Sequence, residues 1–108
     1  MDRSAIPGIL ARAQEIEPIC RKYKVQRLAV FGSVLRGDFR PDSDVDLLVE
    51  FRRDAEPGLF ELVRMQGDLE AALGRKVDLL ERRAIETSRN YLRRKAILDS
   101  AVPIYEEG

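Results

Sequence analysis

The 108-residue sequence contains no histidine and no tryptophan. Without histidine, the Ser-His and Cys-His pairs of nucleophilic catalysis are excluded, and so is the commonest transition-metal ligand. A general base must then be a carboxylate, a lysine or a tyrosine. A bound metal is expected to be a hard ion that is held by oxygen atoms.

Cysteine is almost absent too, since Cys20 is the single one. One cysteine excludes an internal disulfide framework and a cysteine-based zinc site, and the expected role of Cys20 is that of a small buried hydrophobe. No apolar run is long enough to cross a bilayer, and the first residues lack the apolar core of a signal peptide. We therefore expect a cytoplasmic protein without a membrane partner.

The chain also lacks net charge, because 19 basic residues balance 19 acidic ones. This balance argues against direct binding of nucleic acid. The charges are unevenly distributed, however, with four aspartates between positions 38 and 46 and a basic segment that contains Arg89, Arg93 and Arg94. The basic segment is either a docking face for a partner or a solvated helix face.

The apolar periodicity predicts one α/β (or α+β) domain over residues 1–108, with a small mixed sheet and helices packed against it. The predicted elements are helix 4–23, strand 25–31, a helical turn at 33–36, strand 45–51, helix 59–73, strand 76–80, a mainly helical segment at 84–100, and strand 102–105. Pro18 predicts either a kink or a break near Glu15, and we favour one kinked helix. Pro103 predicts a sheet edge for the last strand.

Two helices have an expected inward face. The helix at 59–73 is expected to bury one apolar stripe and to end at Gly74; the stripe consists of Leu59, Leu62, Val63, Leu69 and Leu73. The segment at 84–100 is expected to turn three residues towards the core, namely Leu92, Ala96 and Ile97.

Polar residues that could bind a ligand lie after the end of the first strand and before the second strand. Gly32 and Ser33 follow the first strand, where a tight turn with free N–H groups can cradle a phosphate. Arg36 lies one helical turn later and either contacts a phosphate or pairs with Asp38 or Asp42. Taken alone, a Gly-Ser pair at this place is typical of an ordinary turn.

Asp44 and Asp46 are two residues apart at the start of the second strand, so their carboxylates point the same way. Their mutual repulsion is offset either by a divalent cation, for which Mg²⁺ is the natural choice, or by solvent. Asp78 in the third strand adds a third carboxylate if it faces the same side. It is then the best candidate for a general base; otherwise backbone donors or an arginine hold it.

The motif from Phe31-Gly32-Ser33 through Arg36-Gly37-Asp38 to Ser43-Asp44-Val45-Asp46 resembles the signature of the DNA polymerase β-like nucleotidyltransferase superfamily. In particular, the chain is similar to minimal nucleotidyltransferases, among them the antitoxins that are paired with HEPN-domain toxins. The resemblance covers nearly the whole chain. It implies a fold like that of the polymerase β palm.

The resemblance also implies roles for individual residues. Gly32 and Ser33 would bind the triphosphate of ATP or another nucleoside triphosphate. The catalytic, Mg²⁺-binding carboxylates would be Asp44, Asp46 and Asp78. The implied activity is transfer of AMP from ATP to a tyrosine of a HEPN ribonuclease; the alternative is a non-catalytic antitoxin that binds nucleotide and neutralises its partner by contact. Both a homodimer and a hetero-oligomer are open.

Overall fold

A computed structural model of the chain describes residues 12–32, 44–55 and 57–107. Within these ranges the chain forms four helices and four strands. The helices are α1 (Ala13–Lys22), α2 (Leu59–Leu73), α3 (Arg82–Glu86) and α4 (Tyr91–Ser100). The strands are β1 (Val25–Phe31), β2 (Val45–Phe51), β3 (Val77–Glu81) and β4 (Val102–Glu106). The predicted turn at 33–36 lies outside the described residues.

The four strands form one sheet in the order β3-β2-β1-β4. β1 pairs antiparallel with both β2 and β4, whereas β2 and β3 are parallel. The predicted mixed sheet is therefore confirmed. Pro103 lies in β4 at the outer edge of the sheet, as expected. Proline has no backbone N–H, so in a central strand one hydrogen bond of the ladder would be lost.

The core is built on the two inner strands. Four consecutive residues of β1, from Leu28 to Phe31, are buried, which agrees with a strand that is covered on both faces. Val45, Leu47 and Val49 of β2 are fully buried. Helices α1 and α2 pack against each other and against the sheet, so the inner strands lie in a fixed apolar environment.

α1 continues through Pro18 without interruption as far as Lys22. The alternative of a break near Glu15 is therefore wrong, and the expected helix is confirmed from Ala13 onwards. Its predicted beginning near Ser4 lies outside the described residues. Pro18 and Gln14 are both exposed, so water can satisfy the carbonyl group of Gln14 that loses its intrahelical partner.

The expected buried stripe of α2 is only partly correct. Leu69 and Leu73 are buried together with Met65, but Leu59 and Val63 are 75% and 61% exposed. At 100° per residue, these two side chains point about 80° and 120° away from the line through Met65, Leu69 and Leu73. Gly74 does end the helix, with a left-handed φ of 66° and its N–H donated to the carbonyl oxygen of Glu70.

The segment after β3 consists of two helices with residues 87–90 between them. The Thr87 hydroxyl donates to the carbonyl groups of Arg83 and Ala84, and the Asn90 side chain caps α4 by accepting from the Arg93 N–H. Both contacts compete with a continuous helix.

The expected inward face of the same segment needs correction. Of the three predicted residues only Ile97 is buried, whereas Leu92 is 77% exposed and Ala96 is exposed. At 100° per residue, Leu92 and Ala96 point about 140° and 100° away from Ile97. The orientation of α4 is thus set by Ile97 and by the Asn90 cap.

A polar contact joins the two helices on one face of the sheet. The Tyr23 hydroxyl donates to Asp68 Oδ2 at 2.8 Å, and Lys22 Nζ lies 3.2 Å from the same oxygen. The hydrogen bond from Tyr23, and then that from Lys22, lower the pKa of Asp68. Burial raises the pKa of Tyr23, and the hydrogen bond to Asp68 raises the pKa of Lys22.

Cys20 is fully buried and has a free thiol. Burial, with a smaller contribution from Glu17, raises its pKa to about 12. Its expected role as a small hydrophobe is confirmed. None of the helices in the described ranges is both long and apolar enough to span a membrane.

We expect Tyr23→Phe to lower the free energy of unfolding by about 1 kcal/mol at pH 7, because Asp68 loses a charge-assisted hydrogen bond at a partly exposed site. Because the pKa of Asp68 is lowered in the folded state, the ionised carboxylate stabilises the fold at pH values above the ordinary pKa of an aspartate. This stabilisation is lost as the pH falls through the folded-state pKa. The loss from the substitution should therefore shrink between pH 5 and pH 3. Urea unfolding at several pH values measures both effects.

The matched control is Tyr105→Phe. Tyr105 is also half-buried, but its hydroxyl has no hydrogen-bond partner within the described part of the chain. Equal losses for the two tyrosine variants, or a loss for Tyr23→Phe that does not change with pH, would contradict this role of Asp68.

Candidate functional site

One edge of the sheet collects the predicted site residues. β1 ends at Phe31 on this edge, and because β1 is antiparallel to β2 while β3 is parallel to it, β2 and β3 both begin there. We call this the acidic edge and define it by Gly32, Asp44, Asp46 and Asp78. Its residues come from three separate stretches of the sequence that the sheet brings together.

Asp46 lies in the middle of this arrangement. It is the cross-strand partner of Phe31 on one side and of Asp78 on the other. Partners in a parallel pair point to the same face of the sheet, and neighbouring strands are about 4.8 Å apart. Asp46 and Asp78 thus lie side by side on the same face, which is the condition under which Asp78 was expected to join the site.

Gly32 meets the carboxylate of Asp46 directly. Its φ is +75°, in the left-handed region that favours glycine. A β-carbon built on Gly32 would overlap Asp46 Oδ2 and would lie 3.0 Å from Asp46 Cγ. Glycine at this position therefore leaves the space in which the Asp46 carboxyl group sits.

The three carboxylates differ in their surroundings. Asp46 is half-buried between the buried residues Val45 and Leu47, whereas Asp44 and Asp78 are exposed. Asp44 precedes β2 and lies outside its ladder. Among the described residues, no three acidic side chains lie close enough together to hold a metal ion. The backbone thus brings Asp46 and Asp78 together, and joint coordination with Asp44 stays a prediction.

The exposure of Asp78 resolves a difficulty in the sequence, since an aspartate within a strand is costly if it is buried unpaired. β3 is an edge strand, and Asp78 faces solvent on it. An exposed carboxylate beside a half-buried one can be reached by a molecule from outside the chain.

A frame of hydrogen bonds fixes the start of β3 against its neighbours. The Val77 N–H donates to Glu70 Oε2, and the Val45 N–H donates to the carbonyl oxygen of Lys76, each at 2.9 Å. The first contact joins β3 to α2, and the second joins β3 to β2 immediately before Asp46 and Asp78. Sequence reasoning missed Glu70, because nothing in the sequence pairs a helix carboxylate with a strand N–H seven residues later.

Two predicted nucleotide-binding residues, Ser33 and Arg36, lie outside the described residues, as do Asp38 and Asp42. The roles of Ser33 and Arg36 stay predictions. The candidate metal ligands that are described are all carboxylate oxygens, which suit a hard divalent cation such as Mg²⁺.

The basic segment that was considered as a docking face makes contacts within the chain. Arg94 is half-buried, donates to the carbonyl oxygens of Glu86 and Ser88, and lies 5.3 Å from the centre of the Tyr91 ring. It therefore holds α4 to the end of α3. Arg93 is exposed on α4, and Arg89 is exposed in the connection before it, so both alternatives for these two residues stay open.

The nucleotidyltransferase domain model matches residues 14–103 of the chain. The chain belongs to the nucleotidyltransferase family. Protein adenylyltransferase MntA of Thermococcus cleftensis is 37% identical over 82 residues, which cover 68% of this chain and 81% of that protein.

Solved structures show the same fold. A protein that is provisionally described as a minimal nucleotidyltransferase has a TM-score of 0.68 at 35% identity, covering 95% of this chain and 96% of that one. A chain from the complex of the tri-AMPylated HEPN toxin of Shewanella oneidensis with an MNT antitoxin has a TM-score of 0.60. That match covers 90% of this nucleotidyltransferase and 71% of that chain, and at 17% identity it shows a shared fold alone.

We expect Gly32→Ala to abolish nucleotide binding while the protein still folds, because the new methyl group would displace the Asp46 carboxylate. The left-handed backbone should also cost about 1 kcal/mol of stability. The matched control is Gly74→Ala, where φ is +66° but an added β-carbon meets nothing within 4 Å.

Titration with a fluorescent ATP analogue and thermal unfolding measure the two effects. Both variants should lose similar stability, and only Gly32→Ala should lose binding. Normal nucleotide binding by Gly32→Ala would show that the contact between Gly32 and Asp46 is not part of the site.

Proposed function

We propose that this nucleotidyltransferase is a Mg²⁺-dependent protein adenylyltransferase that acts as an antitoxin. It transfers AMP from ATP to a tyrosine hydroxyl of a partner HEPN ribonuclease and thereby silences that partner. The observation that carries the proposal is the register of the sheet, which pairs Asp46 with Asp78 directly beside the tight turn at Gly32.

In this proposal Asp44, Asp46 and Asp78 hold the cation. Two of the three are exposed and can rotate about their side-chain bonds, whereas Asp46 is held in the sheet. Aligned carboxylates repel one another, and a divalent cation offsets that repulsion. When bound, Mg²⁺ neutralises the charge that develops on the phosphate oxygens and on the leaving group.

The triphosphate binds at the turn after β1. Gly32 allows the backbone to approach a ligand closely, and Ser33 adds a hydroxyl donor. Arg36 contributes a guanidinium group that can pair with a phosphate. With the triphosphate held at this turn, the α-phosphate of ATP would lie near Asp46 and Asp78.

Asp78 is the general base in this scheme. It accepts the proton of the tyrosine hydroxyl as the tyrosine oxygen forms a bond to the α-phosphorus. The bond from the α-phosphorus to the bridging oxygen breaks, and pyrophosphate leaves. The exposure of Asp78 on an edge strand supports this assignment, because the acceptor must arrive from outside the chain.

The tyrosine acceptor is what the resemblance to HEPN-paired antitoxins implies. Two observations support it: a relative at 37% identity is named a protein adenylyltransferase, and a chain that shares the fold at 17% identity comes from a complex with an AMPylated HEPN toxin. The alternative is a non-catalytic antitoxin that binds nucleotide and neutralises its partner by contact.

Replacing any one of Asp44, Asp46 and Asp78 by asparagine should reduce AMP transfer about 100-fold or more, since each change removes a cation ligand or the general base. The reaction contains the chain, ATP, Mg²⁺ and the protein that is encoded beside it, and mass spectrometry counts the AMP groups on that protein. Asp99→Asn is the matched control, because Asp99 is an exposed aspartate that pairs with Lys95 on α4. It should leave transfer unchanged.

The ribonuclease activity of the partner separates the two candidates. Under the enzymatic proposal, the three asparagine variants bind the partner but no longer silence it. Full neutralisation by these variants, with no AMP on the partner in any reaction, would overturn the enzymatic proposal in favour of the contact mechanism.

A further inference from the structure

The outward face of α2 is apolar at its beginning. Leu59, Phe60 and Val63 are 75%, 81% and 61% exposed. Large apolar side chains that lie next to one another on a surface mark interaction sites more often than isolated ones do. They are adjacent here, because Val63 is separated by four residues from Leu59 and by three from Phe60, spacings that place side chains side by side on a helix.

The same face carries small residues at the other end of the helix. Gly67 lies four residues after Val63, Ala71 lies four residues after Gly67, and both are exposed. A β-carbon added to Gly67 would meet nothing within 4 Å. Glycine inside a helix is destabilising relative to alanine, and no contact within the described chain requires it here. A neighbouring backbone from outside the chain would require it.

We propose that this face of α2 pairs antiparallel with the same face of a second copy of the chain. The bulky residues lie at its first turns and the small ones at its later turns. When two such helices run in opposite directions, Phe60 of each copy lies over Ala71 of the other, and Val63 lies over Gly67. One surface then supplies both the projections and the recesses, as a two-fold interface requires.

The charges of this face fit the same register. Arg64 is exposed beside the apolar residues, and in the antiparallel pair it lies level with Asp68 of the second copy. Tyr23 and Lys22 both bond to Asp68 Oδ2, and the charge of Arg64 in the same chain already acts on this carboxylate. The pairing would bring the second copy's arginine to it as well. A parallel pair would instead oppose Phe60 to Phe60 and Arg64 to Arg64, which brings like charges together.

The antiparallel pairing keeps both acidic edges open. The end of α2 leads through Gly74 to the start of β3, where Asp78 lies. Opposed helices therefore place the two acidic edges at opposite ends of the dimer. One helix pair buries less than the area of a standard interface, so we expect a weak, reversible dimer.

Sedimentation velocity of the full chain, between about 1 µM and about 1 mM, tests the pairing. The wild type should shift from monomer to dimer over this range. Phe60→Glu should weaken the dimer by more than about tenfold, because it places a charge against Ala71. Leu92→Glu is the matched control, since Leu92 is a 77% exposed apolar residue on α4 and should leave the dimer unchanged.

Gly67→Gln separates loss of dimer from loss of folding. A better helix former should raise the Tm of the monomer, whereas the long side chain should prevent close approach of the second helix. A wild type that stays monomeric throughout would overturn the proposal, as would equal effects of Phe60→Glu and Leu92→Glu. A monomeric wild type whose binding to the HEPN partner is lost in Phe60→Glu would assign the face to that partner instead.

Discussion

The register of β2 against its two neighbours is the constraint on which the site depends. It sets Asp46 opposite Phe31 and beside Asp78, next to a turn that only glycine can make without a clash. Side chains alternate between the faces of a strand, so a slip of one residue would turn Asp46 to the face on which Val45 and Leu47 are now buried. The burial of these two residues thus fixes the direction of the carboxylate.

The residues of the acidic edge differ in how firmly the sheet holds them. Asp46 is held by strands on both sides, whereas Asp44 precedes its strand and Asp78 lies on an edge strand that faces solvent. Bringing three negative charges together has an electrostatic cost. Because two of them are exposed, water weakens their repulsion, and no charge is placed in the apolar core.

Much of the fold could be predicted from the sequence, because the strands are short apolar runs with clear ends. The turn glycine and the pair Asp44 and Asp46 were recognisable from local spacing alone. The pairing of Asp46 with Asp78 was not, since a contact over 32 positions leaves no local pattern. The faces of α2 and α4 were assigned wrongly at Leu59, Val63 and Leu92, where helical spacing gives a stripe but not the surface that covers it.

Asp46 lies on an inner strand, so its position lasts as long as that strand stays paired with its neighbours. Moving this residue out of place would break hydrogen-bonded ladders on both sides of β2 and would expose Val45, Leu47 and Val49, which are fully buried. Such an opening costs much more free energy than the opening of a loop. Heating should therefore displace the Asp46 carboxylate only when β2 separates from its neighbouring strands. The exposed surface around Asp78 can change through evolution while the inner strand β2 is left undisturbed.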